Sequence, residues 1–235
     1  SDKSLLTRWL IKLIYKNASR ASVVSDYLGN ALRNEFNISK PTRIPNVVDT
    51  KLFYPSAVKN KIFQFIHISL LNYQKNPNDI FEAVKKLTTL TNEHFELVIF
   101  GPIKQECTEK VRELGVQDYI QFRGEVGHDI LSCELRTAHA LILYSHYETF
   151  GCVIAEAYAS GVPVIVSDIP VMREIVNENT GIFAKPRDPH DLAEKMLWMM
   201  NNYQLFNSND IAIQAEEKYG FGTVAKQFDE LYKGI

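Results

Sequence analysis

The amino-acid sequence predicts an α/β fold, a doubly wound, Rossmann-like parallel sheet with helices on both faces. Three observations predict it. Short, mostly apolar runs, such as 63–68, 95–100 and 140–143, read as strands buried on both faces. Stretches of helical periodicity alternate with them, which is the pattern of βαβ units. The runs lead into loops at Ser69, Gly101, Gly124, Ser145 and Asp168. In a parallel sheet those loops meet on one edge, beyond the carboxyl ends of the strands, where such sheets bind ligands.

In chain order, residues 4–17 read as a helix with Leu5, Leu6, Trp9, Leu10, Leu13 and Ile14 on one face. Lys3, Arg8, Lys12, Lys16 and Arg20 make this segment basic, so its apolar face either packs on its own domain or lies on an anionic membrane surface. A short strand at 21–25 and a helix from 26 to about 36 follow. Ile44-Pro45-Asn46-Val47-Val48-Asp49 and a polar connection around Tyr54-Pro55-Ser56 lead into the regular part. There the strands are 63–68, 95–100, 119–122, 140–143, 164–166 and 182–183. The helices between and after them are 78–90, 106–114, 130–137, 189–201, 210–218 and 223–233.

The richest stretch runs from Ser145 to Asp168. It reads as a loop, a helix, a tight turn at Gly161-Val162-Pro163 and the strand Val164-Ile165-Val166. Glu148 precedes the helix and Glu156 lies within it, with seven residues between. Phe150-Gly151-Cys152 form the helix start, where backbone N–H groups and the helix dipole favour an anion. Helical rise places Glu156 roughly 7 Å along the axis from Gly151. That is about the span from a diphosphate to a nucleotide ribose, and Gly151 allows a ligand close to the backbone.

These residues resemble the E-x7-E signature of the glycosyl transferases group 1 family, retaining enzymes with the two-domain GT-B fold. The small-residue helix, Gly-x-Pro and apolar strand continue that signature. Val24-Ser25-Asp26-Tyr27-Leu28 is similar to the family's strand-then-helix step. Ile44 to Asp49 is similar to its Pro-Asn-Gly-x-Asp crossover, with Val47 where glycine is usual. The resemblance implies three parts. Residues 1–45 would be a remnant of the N-terminal, acceptor-side domain with the crossover. Residues 46–205 would be the nucleotide-sugar-binding domain, and 206–235 helices returning toward the N-terminal domain. The chain starts at Ser1, on a helical pattern with no preceding strand, and is expected to be a piece of a longer protein. A remnant whose strands lack neighbours also offers a surface for a second copy, a homodimer contact.

The resemblance also implies site roles. Glycosyl transfer from a nucleotide sugar needs cations or fixed N–H dipoles at the departing diphosphate. Lys75 matches the family's phosphate-binding lysine, whereas Leu70 stands where an arginine is common. Glu148 is expected beside the donor sugar, and Lys75 and Glu148 are the expected catalytic pair. Glu156 would accept from both ribose hydroxyls, a role that suits an acceptor-only carboxylate. Thr149, Phe150, Gly151 and Cys152 would offer N–H groups to the phosphates. Ser69 joins them, and Gly124, Glu125 and Val126 would read the base. His146 and Tyr147 flank this stretch and read as rim residues. Arg173-Glu174 is similar to the family's Pro-Glu pair, with Glu174 expected to cap the first turn of its own helix.

The implied activity is retaining sugar transfer from a UDP- or GDP-sugar to a glycan or lipid-linked acceptor, in polysaccharide assembly. No cofactor and no metal are expected. A nucleotide-sugar-binding fragment without activity of its own is the alternative, as is another GT-B activity such as an epimerase. A phosphorylase would need a lysine in a pyridoxal phosphate setting, and none is seen. The formal net charge of −2 argues against a nucleic-acid partner. Three scattered cysteines, Cys107, Cys133 and Cys152, lack metal-like spacing and suit a reduced cytoplasmic setting, with the inner face of the membrane as a peripheral site. Two sequons, at Asn17 and Asn37, are read as chance. No apolar run is long enough to span a bilayer.

Overall fold

The structure is a computed structural model that describes residues 2–39 and 41–233, with the side chains of Asp2, Lys3 and Ser4 outside what is described. The first elements are α1 (Asp2–Asn17), β1 (Ser22–Val23), α2 (Asp26–Phe36) and β2 (Thr42–Arg43). β1 and β2 pair in parallel as a separate two-stranded sheet. The regular part follows as β3 (Phe63–Ile68), α3 (Pro77–Leu90), β4 (Phe95–Phe100), α4 (Gln105–Leu114), β5 (Ile120–Gly124), α5 (His128–Thr137), β6 (Ala140–Leu143) and α6 (Cys152–Ala159). It ends with β7 (Val164–Ser167), α7 (Met172–Ile175), β8 (Gly181–Ala184), α8 (Pro189–Asn202), α9 (Ser208–Tyr219) and α10 (Phe221–Lys233).

β3 to β8 form one parallel sheet in the order β5-β4-β3-β6-β7-β8. The chain winds outward from β3 to β5, returns to lay β6 beside β3, and winds out the other way. The reversal falls between β3 and β6, the position at which open α/β sheets form a crevice. The apolar runs form strands because both faces are covered. α3 packs on α4 and α8 over one face, and α6 packs on α9 over the other. Every residue of β6 and β7 is buried. α6 is also buried on most sides, through Ile154, Ala155, Ala157, Tyr158 and Ala159, as its small residues allow.

The expected elements stand within a few residues of their predicted bounds. The helix expected at Arg173-Glu174 is the four-residue α7, and the two-residue β2 and the 3-10 turns at Tyr73–Lys75 and Tyr203–Leu205 are additional. All are too short to show a periodicity.

Two expectations are corrected. The apolar face of α1 does not pack on the rest of the described chain. Leu5, Leu6, Trp9, Leu10, Leu13 and Ile14 are 42–67% exposed. α1 rests on α2, where Arg8 pairs with Glu35 and lies 5.5 Å from the Phe36 ring centre. Glu174 is a cap, but not of its own helix. Its carboxylate accepts from the backbone N–H groups of Asp26 (2.8 Å) and Tyr27 (2.6 Å) at the start of α2. Ser25 caps the same end, accepting from Leu28 N–H at 3.3 Å.

Candidate active site at the reversal of the sheet

Lys75 and Glu148 follow the two strands between which the winding reverses, β3 and β6. That placement brings together side chains 73 residues apart. The Lys75 ammonium bonds a Glu148 carboxylate oxygen that also accepts from the Ser145 hydroxyl at 2.8 Å. Gln74 Nε2 approaches the other oxygen at 3.5 Å. Glu148 is nearly buried, with its side chain 5% exposed against 18% for Lys75. These donors offset the cost of burying the carboxylate.

The loop bearing Lys75 is held from behind. His67, buried in β3, places Nδ1 2.9 Å from the Ile142 carbonyl of β6. A carbonyl only accepts, so Nδ1 carries the proton and Nε2 accepts from the Ser69 hydroxyl at 2.7 Å. Ser69 Oγ in turn accepts from Leu71 N–H at 3.0 Å. Burial pushes His67 down to about 4, with the Lys75 charge adding to it and the bond to Ile142 opposing. Lys104 donates to the Leu71 carbonyl at 2.9 Å. Leu71 itself adopts φ 48°, a left-handed conformation uncommon for a leucine. The strand ends are locked as well. Ser69 N–H bonds Phe100 O and Gly101 N–H bonds Gly124 O, both at 3.0 Å. A Cβ on Gly101 would fall 1.8 Å from the Ser69 carbonyl oxygen, so only glycine closes this ladder.

Together these loops wall a cavity of about 450 Å³. Ser69, Lys75, Glu125, Val126 and Glu148 line it, as do Thr149, Phe150, Gly151 and Cys152 from the start of α6. No side chain caps α6, and Gly151, at φ 88°, turns the chain into it. Phe100, Pro102 and Leu131 give one wall an apolar character. Leu70, 60% exposed, adds a second apolar surface at the position where the resemblance leads one to expect arginine.

Two expected residues stand back from this cavity. Gly124 is in the strand-end ladder, not the lining. Glu156 lies a turn into α6, where its carboxylate is 3.9 Å from Nε2 of the cavity-lining His128. Burial raises the Glu156 pKa and the His128 charge opposes this. His146 turns away, its ring centre 4.6 Å from that of Tyr73 on the far side of the Lys75 loop. Residues that sequence reasoning passed over are His67, Gln74, His128 and Asn46, whose Nδ2 reaches Cys152 Sγ at 3.1 Å. His67 alone carried a signal, a titratable residue inside a mostly apolar strand.

The family model described as "Glycosyl transferases group 1" matches residues 49–219. The chain belongs to the glycosyl transferases group 1 family. An uncharacterized glycosyltransferase of Methanocaldococcus jannaschii is 29% identical over 174 residues, 72% of this chain and 44% of that protein. Glycogen synthase of Mycobacterium tuberculosis is 29% identical over 194 residues, 79% of this chain and 45% of its own length. The chain thus spans just under half of these relatives. Among solved structures, sucrose-phosphate synthase from Thermosynechococcus elongatus superposes with a TM-score of 0.80 at 22% identity, covering 97% of this chain and 61% of that one. Anabaena HepE in complex with UDP and glucose gives 0.83 at 18% identity, covering 97% and 66%. At these identities the likeness establishes the fold, a Rossmann-like parallel sheet shared with GT-B glycosyltransferases.

Proposed function

We propose that this chain is the donor-binding half of a retaining glycosyltransferase that uses a nucleoside diphosphate sugar, UDP- or GDP-linked. The observation that carries the reading is the Lys75–Glu148 pair at the sheet reversal, opening onto the uncapped start of α6. The diphosphate would lie against that helix start and Lys75, the arrangement that favours an anion. Glu156 would take the ribose hydroxyls, and the apolar wall with Glu125 and Val126 would take the base. Glu148 would face the sugar. In the transfer step the bond between the anomeric carbon and the phosphate oxygen breaks on the face where the acceptor oxygen attaches. The acceptor proton passes to the departing phosphate. The protein then acts by positioning and by stabilising charge. The acceptor, a glycan or lipid-linked sugar, and the cytoplasmic location belong to the same proposal, as does transfer without a divalent metal. No helix among the described residues is long and apolar enough to cross a membrane.

Donor binding has a cost here. The diphosphate must draw Lys75 from Glu148, and Glu148 must exchange its lysine for sugar hydroxyls. Calorimetric titration with UDP, GDP and their common sugar conjugates tests the reading. One nucleotide should bind saturably with and without EDTA. Glu156→Ala and Lys75→Ala should each weaken it by about 10- to 100-fold, the loss expected for a charged hydrogen bond. Absence of binding by the folded chain to every nucleotide would overturn the assignment of this cavity as a self-sufficient donor site.

A further inference from the structure

Gln74 joins the two loops that carry the proposed pair. Its carbonyl accepts from the His146 N–H at 2.8 Å. Its side-chain amide donates to the Tyr147 carbonyl at 3.0 Å and approaches Glu148 Oε2 at 3.5 Å. Beside it, the Tyr73 and His146 rings meet at 4.6 Å. The turn bearing Gln74 is short. It lies between two left-handed residues, Leu71 at φ 48° and Asn76 at φ 50°, and is a single 3-10 turn closed by Asn72 accepting from Lys75 N–H at 3.2 Å. Across the gap, the segment from Ser145 to Gly151 has no regular structure. Before Glu148 lets go of Lys75, the ion pair holds the two loops together. Once a donor has drawn the pair apart, the Gln74 contacts remain.

We propose that Gln74 is a positioning residue that keeps the Glu148 loop registered on the Lys75 loop after the ion pair opens. This rests on the donor-site reading above and deepens it. Glutamine suits the task chemically. A single NH₂ serves two acceptors, the Tyr147 carbonyl and the Glu148 carboxylate. Glutamate has the same length and shape but only acceptors, so it would meet both oxygens with repulsion. Methionine has similar size and no donor.

The test compares the wild type with Gln74→Met and Gln74→Glu in two measurements. Hydrogen exchange needs no donor when the three proteins compared also carry Lys75→Ala, which leaves the ion pair open. Residues 145–149 should exchange at least about fivefold faster in both variants, most in Gln74→Glu, with the β3 and β6 amides unchanged. Titration with the nucleoside diphosphate and with its sugar conjugate then separates positioning from packing. The affinity for the diphosphate alone should stay within about twofold. The additional affinity contributed by the sugar should fall about tenfold, because Glu148 faces the sugar. Unchanged exchange at 145–149 would overturn the proposal whether or not any nucleotide binds. So would equal loss of affinity for both ligands accompanied by a lowered melting temperature, which marks a purely structural role. If the wild type binds no nucleotide, the donor-site reading fails and the exchange result alone decides the clamp.

Discussion

The described residues contain two parallel sheets built on the same strand–helix–strand logic, and they differ in what covers them. The six-stranded sheet is sandwiched between helices, and its strands β6 and β7 are buried throughout. The β1–β2 sheet has two residues per strand, and α1, packed on α2, turns its apolar face outward. A parallel sheet is stable when both faces are dry. The larger sheet meets that condition within the described residues and carries the proposed site. The smaller one buries only a few residues, among them Val23, Phe36 and Ile44, and the Glu174 carboxylate on α2 fastens it to the larger part. One region rests on a large core and the other on a few buried residues and hydrogen bonds, so the two should respond to perturbation on different scales.

The largest difference should come from the core. Phe65 is fully buried in β3, between Phe63 at 4.9 Å and Phe95 at 6.2 Å. Phe65→Ala should cost about 3–5 kcal/mol in chemical denaturation. A cost below about 1 kcal/mol would mean that the large sheet is not the stabilising unit.

Next is acid sensitivity. His67 is held neutral in the fold, at about 4 against an ordinary 6.5, so the unfolded chain binds its proton first. Its stability contribution is therefore complete above about pH 6.5 and lost as the pH falls toward 4. Between pH 7 and pH 5 this amounts to about 2 kcal/mol. His139, lowered to about 4 by burial and then by Lys59, adds in the same direction. Denaturation midpoints at the two pH values check the slope, and His67→Gln should reduce it.

The junction should respond less. Glu174→Ala removes the acceptor of two N–H groups and should cost about 1 kcal/mol, the usual value of a helix cap. Faster amide exchange at Asp26 and Tyr27 should accompany it, with β3 and β6 unaffected. Loss of protection in the large sheet would show that the two regions fold as one unit. The smallest effect is expected on α1, where Leu6 is 58% exposed. Leu6→Ala should change stability by less than about 0.5 kcal/mol. A larger change that grows with protein concentration would reveal a second copy on that face.

How much of this was legible in the sequence follows from range. Consecutive apolar residues and helical spacing are local signals, and they placed the strands of the large sheet nearly to the residue. The chemistry of the start of α6 was also local, because Glu148, Gly151 and Glu156 share one short segment. Strand order was not legible, and with it the reason that Lys75 meets Glu148. The contacts made by Gln74, His128 and Asn46 were hidden for the same cause, since each joins segments distant in the chain. Glu174 illustrates the limit. An acidic residue at a helix start predicts a cap by a sound local rule, but the side chain reaches another helix altogether.

That reach also sets an order of events. Glu174 lies 148 residues after the amide of Asp26 that it caps. At about 5–20 residues per second, a ribosome needs roughly 7 to 30 seconds to supply it. Throughout that interval α2 has only Ser25 to close its first turn. A helix synthesised well before the large sheet is thus among the last to be completed, and a nascent chain stalled before β7 should carry an α2 that frays and invites chaperones.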